Sequence, residues 1–237
     1  MLILSLTVPF MAHAQEGWID VTSQYIINPN YDNDSNKGWE GTTIGHAQPA
    51  QAAEHWNTSF NSYQHISNLP NGKYRVTVNA LYRPGNSDQY LLDRYLDGDH
   101  DIPAHIYANE VTRQVIPCYS QYLTHDANGA HYLYNREIDE YVWYPNSMYS
   151  GVAAFEDGLY INELEVDVTD RSLTIGIASD AYVQYGWCLF DNWKLEKWGY
   201  PLLFNDPPKA KNDESIPYSS LHELAEKCDV ITFHTPL

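Results

Sequence analysis

Residue types that do chemistry are plentiful in this chain, but they are not spaced for catalysis. Ten histidines are scattered with no H-E-x-x-H or H-x-H spacing, so no zinc-hydrolase helix can be read from them. His100 and His105 fall in a polar stretch and read as solvated. Glu137, Asp139 and Glu140 crowd carboxylates together, yet a hydrolytic pair is defined by a separation in space that sequence spacing does not supply. There is no G-x-S-x-G elbow and no P-loop. What the chain has instead is rings, 20 Tyr and 7 Trp in 237 residues. Their chemistry is binding rather than bond-making, because a ring face takes apolar C–H surface while neighbouring planar groups make hydrogen bonds.

Composition narrows the partners. With 43% hydrophobic residues the chain can bury a real core. Thirteen Lys and Arg against 31 Asp and Glu give a net charge of −18, which repels phosphate backbones and anionic head groups. Nucleic acid and membrane insertion are therefore excluded as expectations, neutral ligands and cations such as Ca2+ stay open, and the chain is read as a monomer. Residues 1–14 are read as a signal peptide lacking its basic n-region and ending in Ala12-His13-Ala14. A buried first strand is the alternative; Pro9 and the Ala-His-Ala ending favour export to a secreted, periplasmic or cell-surface location. Of three cysteines, Cys118 and Cys188 precede residue 200; export permits a disulfide between them, and two separate buried thiols are the equal alternative.

The elements that must position the rings read as strands. From Trp18 to about Trp198, apolar runs alternate with Gly, Pro, Asn and Asp clusters, the pattern of an all-β sandwich. In residues 72–83, Tyr74, Val76, Val78, Ala80 and Tyr82 form the core face, and the odd-numbered face is expected in solvent. Residues 160–179 read as a hairpin, with Ile161, Leu164, Val166 and Val168 before a Thr169–Ser172 turn and Leu173, Ile175 and Ile177 after it. Residues 187–198 give the last strand, and residues 28–50 and 84–110 read as long polar loops.

Three stretches, 54–85, 144–179 and 186–199, together resemble galactose-binding-like jelly-roll modules of secreted bacterial polysaccharide-handling proteins. The resemblance rests on the Gly-x-Tyr strand with its Tyr82-Arg83-Pro84-Gly85 ending and on the closing Phe190-Asp191-Asn192-Trp193 strand. It implies a jelly-roll β-sandwich over residues 15–199 and a non-catalytic glycan- or polysaccharide-binding or protein-contact role. By that resemblance Trp39, Tyr82, Arg83, Trp143, Tyr144, Tyr185 and Trp187, in or beside the expected loops, are candidate sugar contacts; core packing is the competing role for each. It also makes Asp20 and Asp191 candidate ligands of a structural Ca2+, against a simple turn or capping bond.

Residues 200–237 belong to another pattern. A short apolar run ends in Asp206, a capping box at Ser220–Glu223 opens a helix with Leu221, Leu224, Ala225 and Cys228 on one face, and an apolar run follows. This tail resembles the NAD-binding domain of erythronate-4-phosphate dehydrogenases, a partial Rossmann α/β unit. The resemblance implies that Asp206 matches the ribose-binding acid and that His234, Thr235 and Pro236 match the loop lining the dinucleotide. No G-x-G-x-x-G precedes Asp206 and the family's catalytic Arg, Glu and His would fall beyond Leu237, so the tail is expected to be an inactive fragment without NAD. The rival reading makes the dehydrogenase the true identity and the N-terminal module foreign.

Overall fold

The computed structural model describes residues 16–32, 36–47 and 52–199. The leader expected at 1–14 and the tail at 200–237, with Asp206, His234, Thr235, Pro236 and Cys228, lie outside the described residues. The chain divides into two compact units, Met1–Ile19 with Trp198–Leu237, and Asp20–Lys197. In the first, Trp18 and Trp198 meet edge to face with ring centres 5.2 Å apart.

The chain order is β1 (Gly17–Asp20), α1 (Thr22–Tyr25), β2 (Glu40–Gly41), β3 (Gly45–Ala47), β4 (Ala52–Trp56), β5 (Phe60–Ser67), β6 (Gly72–Pro84), α2 (Asp88–Leu96), β7 (Ala104–Ala108), β8 (Val111–Gln114), β9 (Ile116–Pro117), β10 (Ala130–Asn135), β11 (Glu140–Pro145), α3 (Met148–Glu156), β12 (Ile161–Val168), β13 (Ser172–Ser179) and β14 (Gly186–Gly199). One sheet runs β12-β6-β14-β4-β3 with β9 parallel to β6; the other runs β2-β5-β13-β7-β8. The result is the all-β jelly-roll sandwich. Its interior is closed by His55 of β4, which stacks on Phe60 of β5 at 4.3 Å and places Nε2 2.8 Å from Ser62 Oγ.

Tyr74, Val76, Val78, Ala80 and Tyr82 are all buried, as the period of two requires. The opposite face of β6 runs from the exposed Lys73 through the half-buried Arg75, Thr77 and Asn79, and leaves solvent only at its far end. Leu81 and Arg83 are buried too, because a further layer of α2, α3 and the β10–β11 ribbon covers it. Helix α3 opens on a Ser147/Ser150 capping box, and its Gly151 lies so close to Leu189 that a β-carbon there would stand 2.0 Å from Cδ2. The stretch expected as a loop at 84–110 thus contributes a helix and strand β7.

Two other expectations fail for identifiable reasons. Strands β12 and β13 do not pair with each other: β12 pairs with β6 and β13 with β5 and β7, so the Thr169–Ser172 turn carries the chain from one sheet to the other. Arg171 in the left-handed region (φ 64°) and Asn71, bonded to Thr169 O and Arg171 N, fix that corner. Ile161 is 53% exposed, and the buried set on β12 is Asn162, Leu164, Val166 and Val168. Asn162 can be buried because its amide donates to Ala80 O and Tyr160 O and accepts from Ile116 N. Cys118 and Cys188 are buried free thiols, not a disulfide. Cys188 lies in register with Tyr82 on the sandwich side of the sheet, whereas Cys118 joins the core under the outer layer.

Candidate functional site

Register brings three side chains into one row. Trp56 of β4 lies opposite Trp187 of β14, and Trp187 lies opposite Arg83 of β6. Directly opposed residues project from the same face of a sheet. Arg83 reaches along this row, its guanidinium carbon 5.8 Å from the Trp187 ring centre and 5.6 Å from that of Trp56. Trp187 is buried beneath it with Nε1 donating to Glu54 Oε2 at 2.7 Å, while Trp56, at the margin of the outer layer, is 47% exposed.

The turn before β14 completes a rim around Trp56. Tyr185 is 40% exposed with its ring 6.3 Å from Trp56, and Tyr182, three residues earlier, is exposed as well. Asn57 organises both: its Oδ1 accepts from Tyr185 N at 2.7 Å and from the Tyr182 hydroxyl at 3.1 Å, and its own N–H donates to Gly186 O. Asn57 and Tyr185 both sit in the left-handed region, φ 53° and 61°. Tyrosine pays of order 1–3 kcal/mol for that conformation, which persists only where the surroundings hold it.

Behind the row lies a polar centre in which Arg83 and Asp88 are largely buried. Arg83 Nη1 is 3.7 Å from Asp88 Oδ1, too long for a hydrogen bond, and Arg83 Nε has no partner. Asp88, the first residue of α2, accepts from the Tyr119 hydroxyl at 3.1 Å on Oδ1, and its Oδ2 faces His131 Nδ1 of the ribbon. Burial drives the Tyr119 hydroxyl and the Cys118 thiol well above their ordinary ranges, so both are neutral bystanders.

A second set of rings stands on the ribbon. Tyr132 and Tyr134 of β10 face Trp143 and Tyr141 of β11, and successive ring centres along Tyr134, Tyr141, Tyr132 and Trp143 are 5.3, 4.8 and 4.6 Å apart. Tyr132 and Tyr141 are near-parallel at 18°. At that spacing Tyr132 and Tyr141 cover one face each, whereas Tyr134 meets Tyr141 edge-on at 60°, and both central rings remain more than half exposed.

Of the candidate contacts, Arg83, Trp187 and Tyr185 are brought together around Trp56, and Trp143 belongs to the ribbon column. Trp39, Tyr82 and Tyr144 are core side chains. Trp39 packs between Tyr31 and Trp193 with Nε1 bonded to Asn28 O, Tyr82 faces the sandwich interior, and the Tyr144 hydroxyl accepts from Asn135. Sequence reasoning missed Trp56 and Tyr182; with Ala53 and His55 facing inward, alternation along β4 would have put Trp56 on the face of Glu54. Asp20 accepts from Thr22 N at 2.9 Å, a turn bond, with Lys194 3.9 Å away. Burial pushes the Asp191 carboxyl up to about 7, and its Oδ1 accepts from Asn192 N. Among the described residues no three His, Cys, Asp or Glu side chains converge as a metal site, so a cation at either acid would depend on carbonyl oxygens.

The chain is similar to proteins of two different kinds. No protein-family model matches it. A stretch of 41 residues, 17% of the chain, is 49% identical to erythronate-4-phosphate dehydrogenase of Bacteroides fragilis. A stretch of 42 residues is 43% identical to the same enzyme of Bacteroides thetaiotaomicron, and one of 44 is 50% identical to that of Enterobacter sp.. Each match spans only 12% of the relative's length. Among solved structures the chain is similar to TmCBM61 in complex with beta-1,4-galactotriose, at 14% identity and a TM-score of 0.38 over 73% of this chain and 97% of that one. It is also similar to a putative sugar binding protein from Bacteroides thetaiotaomicron, at 15% identity and a TM-score of 0.28 over 71% and 92%.

Proposed function

We propose that the unit Asp20–Lys197 is a non-catalytic glycan-binding module of an exported protein, and that the sugar stacks on Trp56. The observation that carries this reading is the exposed Trp56 ring, backed by the Arg83 guanidinium and rimmed by Tyr185 and Tyr182 on a strained, Asn57-anchored turn. A pyranose has an apolar C–H face for such a ring and hydroxyls for Asn57 and the tyrosine hydroxyls. The full chain run in native gels cast with a panel of polysaccharides should be retarded by at least one of them, and Trp56→Ala should abolish the retardation while the thermal midpoint stays within a few degrees. Normal migration across galactan, glucan, mannan, xylan and polyuronate gels would return the unit to a protein-contact role.

A short identity of 49% favours a second reading for the other part of the chain, as a piece of an NAD-dependent dehydrogenase. Our reading is that this piece is inactive, since no glycine turn stands before Asp206 to present a helix N-terminus to pyrophosphate. Calorimetry at millimolar NAD should then give no saturable heat; a dissociation constant under about 100 μM would reverse the assignment.

A further inference from the structure

We propose that the sugar taken at Trp56 is acidic, a uronic acid whose carboxylate is received by Arg83; this rests on the glycan-binding reading above. Arg83 is a buried cation, its side chain 8% exposed, in a chain of net charge −18. Burying a guanidinium is unfavourable unless its N–H groups find acceptors. Here the nearest carboxylate, Asp88, stands 3.7 Å away with Oδ1 bonded to Tyr119 and Oδ2 facing His131, and Arg83 Nε has no acceptor at all. A buried donor left unpaired requires an explanation, and a ligand acceptor supplies one.

Geometry places that cation beside the stacking ring. The Arg83 guanidinium lies against both Trp56 and Trp187, and a guanidinium held by rings keeps its N–H fork in its own plane, the arrangement suited to a carboxylate. A hexuronate lying on Trp56 with its C6 carboxylate turned toward β6 would meet Arg83; the CH2OH of a neutral hexose offers one hydroxyl acceptor with neither the countercharge nor the second oxygen. The acidic exterior does not forbid this. Surface repulsion is screened beyond about 8 Å at physiological ionic strength, whereas a contact to a buried group is screened far less. Affinity for the acidic sugar should therefore hold or rise as salt is added, opposite to capture by an exposed basic patch.

The experiment compares oligogalacturonate and oligoglucuronate with their carboxyl-reduced neutral forms, by calorimetric titration of the full chain, beside the neutral polysaccharide panel. The wild type should prefer an acidic form by about tenfold, the scale of a charge-assisted hydrogen bond. Arg83→Gln should bring the acidic and reduced forms to equal affinity, whatever that affinity becomes, while Arg83→Lys, with the charge but not the fork, should keep part of the preference. Equal or tighter binding of the reduced forms overturns the proposal and leaves the glycan reading standing. So does binding confined to the neutral panel. Failure of every sugar, acidic and neutral, overturns both. The wild-type comparison needs no variant, so poor folding of Arg83→Gln does not blunt it.

Discussion

The Arg83 guanidinium carbon lies 5.6 Å from the Trp56 ring centre although β14 separates their strands. Arg83 spans that gap by crossing the Trp187 ring, so the three side chains have different duties. Trp56→Ala should cost binding and little stability, because nearly half of the residue is already in water. Trp187→Ala should cost about 3–5 kcal/mol of stability, since it removes a buried ring and orphans Glu54 Oε2. Urea denaturation of both variants checks this; equal destabilisation would mean that Trp56 is a core residue with an exposed edge.

The tyrosine column predicts the reverse for the ribbon. Tyr132 and Tyr141 spend a face each on the other ring, so Tyr132→Ala and Tyr141→Ala should leave polysaccharide retardation unchanged. Loss of retardation in either, with an unchanged melt, would move the sugar from Trp56 to the ribbon.

What could be read from the sequence was local. The period of two along Tyr74 to Tyr82 fixes the sandwich face of β6, and Arg83, Tyr185 and Trp187 stood out as polar or aromatic residues beside turns. Trp56 did not, because its place depends on two strand registers, β4 on β14 and β14 on β6, that join residues far apart in the chain. Ile161 was misplaced for the reason that makes β-register unforgiving: an offset of one residue exchanges the faces. The outer layer escaped notice because α2 buries only Leu91 and Leu92, too weak an apolar stripe to stand out in a polar stretch. The hairpin expected at 160–179 had a good turn but no signal that its two arms enter different sheets.

Gly151 offers a test of that layer. In an exposed helix Gly→Ala stabilises by about 0.5–1 kcal/mol. In α3 the added methyl would stand 2.0 Å from Cδ2 of Leu189, which is fully buried and would have to shift within the core. Gly151→Ala should therefore destabilise, by about 1–3 kcal/mol, through overpacking. A raised melting temperature would show that α3 does not press on the sheet.

Two buried groups titrate in opposition. Burial lowers the His55 pKa from 6.5 to about 4 and raises that of Asp191 from 3.8 to about 7. For His55 the unfolded chain binds the proton more readily, so its contribution is complete above pH 6.5 and lost as pH falls to about 4, roughly 3 kcal/mol in all. For Asp191 the folded chain holds the proton more tightly, so stability is greatest below pH 3.8 and falls by roughly 4 kcal/mol as pH rises through 7. Between pH 4 and 6.5 the two slopes nearly cancel, and the wild type should show a flat stability profile there. Asp191→Asn, which keeps the acceptor for Asn192 N, should gain stability at pH 7 and above and match the wild type near pH 4. His55→Gln, left with the Asp191 slope alone, should grow more stable as pH falls from 6.5 to 4. Urea midpoints from pH 4 to 8 read all three profiles, and millimolar Ca2+ at pH 8 should leave the wild-type midpoint where it is. A calcium-dependent rise that Asp191→Asn lacks would make Asp191 a cation ligand, and an Asp191→Asn profile parallel to the wild type would remove Asp191 from the pH response.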